Sequence, residues 1–320
     1  MRVRYLSTLF MAGLGLVAIT TPVWASPSAP TCGGATPCAC GNRVVADRTL
    51  TSADLVTTTV CTGNGLFVAN GVKLNLGGRT ITGDGGAADV GIMIEGGANN
   101  VVIQGGRVTG FGTGIATFNA TVGSKLTGLQ ILSNGEGINI SASSTTVTQS
   151  VIRRNDGDCL ILLNGPQVED LNTVSLIRCE DNGGNGLVVF GVMNTVARNV
   201  LLRNGGDGAI IGGAGDIIDR NQSKYNGGSG YDIVGLNHAA TLNIAQSNGA
   251  DGFTVSAGGS TFERNSSSYN GRAEDGQPAD GFGIRDTSTD GGTSGTANFY
   301  SANNCTGNGL GDSSPAGLCQ

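Results

Sequence analysis

The chain predicts an all-β fold, a parallel β-helix of roughly 22-residue coils, from three observations: a fixed repeat, an apolar column inside it, and segments too short for helices. Each repeat reads Asn, a few small residues, Gly, then a β-branched or aromatic run. Its anchors are Asn134, Asn155, Asn182, Asn204, Asn226, Asn248 and Asn270, separated by 21, 27, 22, 22, 22 and 22 residues. A period near 22 marks a single-stranded solenoid whose core is built by stacking turns.

The columns behind the period define the coil. Aligned on the residue before the recurring glycine, Glu136, Asp158, Asn185, Asp207, Ser229, Asp251 and Asp280 share one position, and each can hydrogen-bond a turn backbone. Two places on, Ile138, Leu160, Leu187, Ala209, Tyr231, Phe253 and Phe282 are apolar throughout and are expected to face inward. The runs that follow, such as Leu187-Val-Val-Phe190 and Phe253-Thr-Val255, are β-rich and bounded by Gly and Asn. No Leu-x-x-Leu-x-Leu spelling or recurrent ten-residue helical stretch points to another repeat class. Composition agrees, with 56 Gly, 7 Pro and 13% charged residues for turns on a weakly charged surface and 38% apolar residues for a core.

Residues 1–25 read as a signal peptide: Arg2 and Arg4, an apolar stretch from Leu6 to Ile19, and small residues at Val23-Trp-Ala25. That stretch is shorter than the ~20 residues a spanning helix needs, and no other segment is apolar enough to cross a membrane. The expected location is therefore secreted, periplasmic or extracellular. Residues 26–31 form a linker, 32–62 an N-terminal cap, 63–303 the coils and 304–320 a C-terminal cap. The formal charge is −6 and no basic stripe exists to hold nucleic acid.

In an oxidising compartment the eight cysteines are expected to pair. Cys32, Cys38, Cys40 and Cys61 gather at one end and Cys305 and Cys319 at the other, where a solenoid exposes its edge rungs, so they read as staples of the caps. Cys159 and Cys179, 20 residues apart, are placed to bridge neighbouring coils. Zinc at Cys38-x-Cys40 is the weaker reading, since the chain has one histidine.

In Gly71-Val-Lys-Leu-Asn-Leu-Gly-Gly-Arg-Thr-Ile-Thr-Gly83, in Gly106-Arg-Val-Thr-Gly-Phe-Gly-Thr-Gly-Ile115 and in Arg203-Asn-Gly-Gly-Asp-Gly-Ala-Ile-Ile211, the chain resembles the right-handed parallel β-helix superfamily of pectate-lyase-like secreted proteins. The resemblance covers most of the mature chain and implies a right-handed coil. One scaffold of this kind hosts many activities, so it implies no single chemistry. The Asn-Thr-Asp, Asp-Asp and Gly-His-Gly motifs of its pectin hydrolases and the Asp-Pro-His of its alginate epimerases are not spelled here. His238 stands alone in Gly235-Leu-Asn-His-Ala239 and reads as a turn or surface residue.

What remains is charge on the coils. Arg154, Asp181 and Arg203 precede their anchors and form an alternating ladder, with Arg153 under Glu180. One reading is a surface ion-pair stack. The other is a polar cleft with Asp158 and Asp207 on the opposite rim, where carboxylates take a proton and arginine steadies an anion. Arg154, Asp158, Asp181, Arg203 and Asp207 are thus the catalytic candidates. In the acidic column, Glu136 is expected over Asp158 and Asp251 over Asp280. The preferred reading is capping of turn N–H groups, and the alternative is calcium at Asp251 and Asp280; no other cofactor is expected. Tyr231, Phe253 and Phe282 read as core. Tyr225 and Tyr269, two coils apart, are weak candidates for stacking on alternate sugars of an extended chain.

The partner these features favour is a polysaccharide or cell-surface glycan, bound or processed along the solenoid flank. The alternatives are a polysaccharide lyase or glycoside hydrolase acting on an acidic polymer, and a non-catalytic surface-structural or adhesive protein.

Overall fold

The computed structural model describes residues 29–117, 119–165, 167–271 and 280–320. The expected signal peptide, half of the linker and the insertion Arg272-Ala-Glu-Asp275 lie outside them. Each coil lays one short strand on each of three faces. From Asn204 these are Ala209–Ala214, Ile217–Asp219 and Gln222–Lys224; from Asn226 they are Tyr231–Leu236, Ala239–Thr241 and Ile244–Gln246. Successive coils pair in parallel, and the first face forms a 14-stranded sheet.

The inward columns stack in register. The first face carries Ile138, Leu160, Leu187, Ala209, Tyr231, Phe253 and Ile284. The second carries Val147, Val174, Val196, Ile218, Ala240, Phe262 and Tyr300, and the third Ile152, Cys179, Leu201, Ser223, Ala245, Ser267 and Cys305. Volume is balanced across the core, because the rungs that put Tyr231 and Phe253 on the first face put Ala245 and Ser267 on the third. Rung spacing also forces like rings to stack: Tyr231 and Phe253 lie 4.8 Å apart, Phe262 and Tyr300 4.9 Å.

The corners are turned by one residue in the left-handed region, followed by a buried polar side chain. Arg203, Tyr225 and Ser247 (φ 52°, 56° and 53°) precede Asn204, Asn226 and Asn248, and Arg198, Arg220 and Leu242 (φ 57°, 53° and 56°) precede Asn199, Asn221 and Asn243. Non-glycine residues there cost of order 1–2 kcal/mol each, and what holds them is the seam that follows. At the corner from third face to first, Asn204 Oδ1 accepts the Asn182 backbone N–H (3.2 Å) and Nδ2–H (2.9 Å), while its own N–H and Nδ2–H go to Asn226 Oδ1. Only Asn combines acceptor and donor at that reach without charge. The same seam runs from Asn134 to Asn308.

The other corners carry seams of their own, each five residues from the next along a coil. Between second and third faces, Asn199, Asn221, Asn243, Asn265 and Asn303 repeat the bonding pattern. Between first and second faces the seam is mixed: Asn172, Asn194, Asp216, His238, Ser260 and Asn298 each accept the backbone N–H of the coil before.

The eight cysteines form Cys32–Cys38, Cys40–Cys61, Cys159–Cys179 and Cys305–Cys319. Cys159 and Cys179 are fully buried and join adjacent coils through the core. The ladders also run past the 63–303 limits: Asn42–Val44 and Arg48–Thr49 already pair with the next coil, and Gly311–Ser314 pairs with Phe282–Asp286. The stapled caps are therefore the end rungs themselves.

Two expectations need correction. Phe282 is not in the core column. The chain offers two frames, Gly281-Phe282 and Gly283-Ile284, and the fold uses the second: Phe253 pairs with Ile284, which is 1% exposed, while Phe282 lies half-buried at the sheet entrance. His238 does occupy a turn but not the surface; it is buried as a member of the mixed seam.

Candidate functional site

The acidic column sits where the chain enters the first face, and its side chains reach toward the following coil. Asp158 Oδ1 accepts the Asn185 N–H (2.5 Å), Asn185 Oδ1 the Asp207 N–H (2.8 Å), Asp207 Oδ1 the Ser229 N–H (2.5 Å), and Asp251 Oδ1 the Phe282 N–H (2.7 Å). Because of the frame shift, Asp251 neighbours Phe282 in register; the expected stack of Asp251 over Asp280 does not form. Asp251 Oδ2 takes Arg285 Nε (3.1 Å) and Thr254 Oγ1 (3.2 Å). Both Asp251 oxygens are thus engaged, and Asp280 lies out of register with it. No group of three His, Cys, Asp or Glu among the described residues is arranged to hold a metal.

Three residues past this column, the outward row of the first face runs Ile161, Val188, Ile210, Asp232, Thr254 and Arg285. Asp232 ends an aliphatic run. It is half-buried, makes no hydrogen bond or ion pair among the described residues, and is held above the usual carboxylate range by burial and then by the charge of Asp207. Burial also raises Asp207 and Asp251, against the opposing effect of their backbone hydrogen bonds and, for Asp251, of Arg285. The Arg285 guanidinium lies 5.2 Å over the Phe282 ring. Three carboxylates with raised proton affinity, the Ser229–Thr254 hydroxyl pair (3.0 Å) and one arginine thus share the entrance of the first face across neighbouring coils. Such a group can accept hydrogen bonds from hydroxyls.

The five residues selected from sequence do not meet in a cleft. Arg203 binds Asp181 (2.7 Å) and Glu180, and Arg178 binds Glu180 (2.8 Å) from the same strand. These arginines hold the Glu180 carboxyl down to about 2. Arg154 forms no ion pair, and neither Asp158 nor Asp207 touches an arginine among the described residues. The ladder is a corner stack, half-exposed on its cationic side. Tyr225 and Tyr269 project from the same corner at 55% and 44% exposure, and the Tyr269 ring lies across Gly307 of the next coil. Grooves of about 570, 680 and 530 Å³ lie elsewhere, at Leu236 and Phe299, at Arg107 and Gln130, and at Val168 and Leu171.

Sequence reasoning selected Asp207 and weighed Asp251 but missed Asp232, Thr254 and Arg285. The available signal was the change from Ile161, Val188 and Ile210 to Asp232, Thr254 and Arg285 at one repeat position.

No protein-family model and no curated protein sequence matches the chain. Solved structures do. The Dettilon tailspike protein is similar with a TM-score of 0.60 at 13% identity over 89% of this chain and 60% of its own length. The A-module of mannuronan C-5 epimerase AlgE6 from Azotobacter vinelandii gives 0.55 at 14% over 89% and 87%. The catalytic unit of GH87 alpha-1,3-glucanase from Streptomyces thermodiastaticus gives 0.50 at 14% over 84% and 52%. The chain is a right-handed parallel β-helix. In this β-helix, as described, the flank that carries Asp207, Asp232 and Asp251 is the outer surface of the first sheet, and identities this low speak for the fold alone.

Proposed function

We propose that this β-helix is an exported protein that binds a polysaccharide along the outer surface of its first sheet, with Asp207, Asp232, Asp251 and Arg285 at the contact and Tyr225 and Tyr269 at its margin. The observation that carries the reading is Asp232. A half-buried carboxylate without a partner costs stability, and a fold tolerates it where a ligand supplies the missing hydrogen bonds. Sugar hydroxyls are donors of that kind. The coil repeat of ~4.8 Å sets equivalent groups in a line along the axis, as an extended polymer requires. The names of the epimerase and glucanase neighbours, both polysaccharide-acting, support the same class, and four disulfides support an oxidising compartment.

A second reading is processing of that polymer, as a lyase or hydrolase. The neighbourhood of Asp207 and Asp232 favours it, since both carboxyls are raised by burial and two carboxyl groups with altered proton affinity are the usual acid and base of such reactions. Affinity electrophoresis against neutral and uronate-containing polysaccharides tests the first reading. Binding by the parent and a tenfold or greater loss in a folded Asp232→Asn variant is expected. Absence of binding to every polymer, or equal binding by the variant, overturns it. Ultraviolet absorbance of unsaturated product and a reducing-end assay decide the second.

A further inference from the structure

The corner between second and third faces is the vertex opposite the first face, and it projects a ridge. Leu176, Arg198, Arg220, Leu242 and Arg264 occupy it in five successive coils, each exposed and each in the left-handed region, with φ of 56°, 57°, 53°, 56° and 53°. A long side chain there works against the backbone, and glycine or asparagine would hold the turn at lower cost. The corner between first and second faces uses them, with Gly215, Asn237 and Gly259 in three successive coils. None of the five ridge positions does. Leu176 and Leu242 are 49% and 39% exposed, so core packing does not account for them either.

Charge on this side departs from the rest of the molecule. The chain is net −6, yet the carboxylates beside the ridge and on the third face of these coils are already matched. Arg178 and Arg203 take Glu180 and Asp181, Arg220 takes Asp219 (2.6 Å), and Arg264 takes Glu263 (3.4 Å). Arg198 on the ridge and Arg153 and Lys224 on the third face behind it are left over, with no carboxylate partner among the described residues. Cations without counter-charge thus flank exposed leucines at the ~4.8 Å coil interval. Headgroup phosphates take arginine in paired hydrogen bonds, and the acyl boundary beneath them takes aliphatic tips. A soluble polyanion would use the cations and give the leucines nothing.

We propose that this ridge docks the rod on a membrane surface of anionic lipids, with Leu176 and Leu242 in the acyl boundary and the arginines between them on headgroup phosphates. Two leucines are too little apolar surface to hold the molecule alone, and the cations alone are weakened by salt; together they give reversible attachment. The rod lies along the membrane on this vertex, and its first face points away into solution.

Flotation with phosphatidylcholine vesicles, with and without phosphatidylglycerol, tests the proposal, with inorganic polyphosphate as the soluble comparison. The parent is expected to bind the anionic vesicles about tenfold or more tighter than the neutral ones or polyphosphate. Leu176→Asn combined with Leu242→Asn should lose about tenfold or more on anionic vesicles. Because asparagine suits the left-handed turn, that variant should melt no lower than the parent. Arg198→Gln with Lys224→Gln, which orphans no carboxylate, should bind more weakly and with a shallower dependence on salt. Absence of binding to every vesicle, or leucine variants that bind as the parent does, overturns the proposal. Polyphosphate bound as tightly as vesicles assigns the ridge to a soluble polyanion and overturns it too. Should the leucine variant not fold, the parent's preference between anionic vesicles and polyphosphate decides.

Discussion

Asn204 gives both its backbone N–H and its Nδ2–H to a single oxygen, Oδ1 of Asn226, at 2.9 and 3.0 Å, with all atoms buried. Replacing Asn226 by Ala removes that acceptor and leaves two enclosed donors without water. Each such group costs about 1–3 kcal/mol, so Asn226→Ala is expected to lose roughly 2–5 kcal/mol in urea unfolding. The neighbouring Tyr225→Ala, at an exposed corner, should change stability little. Equal costs for the two would mean that the seam does not carry the corner.

Removing the bridge inside the core is the second test. Cys159→Ala with Cys179→Ala deletes a link between adjacent coils spanning 20 residues, worth about 2–4 kcal/mol by the loop-closure argument. Thiol counting of the unfolded parent should find none free. Five or more reactive thiols in exported protein would contradict the pairing.

Glu180 gives a prediction in acid. Its carboxyl, held down to about 2 by Arg178 and Arg203, is depressed below its ordinary value of 4.5. Its stabilisation is therefore present above about pH 4.5 and is lost as pH falls toward about 2. Glu180→Gln should lower the melting temperature by a few degrees at neutral pH and not at all near pH 2. Half-exposed partners keep the effect small. The neighbouring Asp181→Ala should leave polysaccharide binding intact, because Asp181 lies off the first-sheet surface row.

For Asp232 the sign reverses. A carboxyl raised above its ordinary 3.8 favours folding when protonated and opposes it as pH rises through the folded value. Asp232→Asn should accordingly raise the melting temperature at neutral pH, with the gain vanishing below about pH 3.8, while glycan binding falls. Stability gained and affinity lost together is the signature of a functional residue. A variant neither more stable nor weaker in binding would remove Asp232 from the site.

Asp251→Asn tests the capping column. The amide oxygen can still accept the Phe282 N–H, and the Arg285 ion pair is lost. A near-silent change in stability is expected, with melting unaffected by chelator in parent and variant. A chelator-induced drop of several degrees in the parent alone would mean that the column binds a cation after all.

The period, its anchor asparagines and the apolar column of the first face were legible because each recurs at one spacing. The seam between second and third faces places Asn199, Asn221, Asn243 and Asn265 five residues before the last four anchors, where Asn in Asn-rich turns looks like solvent-facing loop. The mixed seam was harder still, since Asn194, Asp216, His238 and Ser260 share only an acceptor atom at the same reach. His238 does sit in a turn, but its burial there is hidden for that reason. Phe282 was misplaced because two Gly-aromatic or Gly-aliphatic frames compete within four residues, and only packing chooses. Asp232 needed the register of the first sheet to reveal which neighbours it has.

The directionality of the Asn204–Asn226 bond has a consequence for how such a chain changes length. Every coil hands its donors forward and offers its oxygen backward, so a coil fits between any two others of its kind without a new interface. Copying or excising residues 204–225 in frame would lengthen or shorten the rod by about one strand spacing, ~4.8 Å, and leave the asparagine junctions of that corner chemically unchanged. The anchors at 204, 226, 248 and 270, each 22 residues from the next, are the unit in which such a molecule can be cut to the size of whatever lies along it.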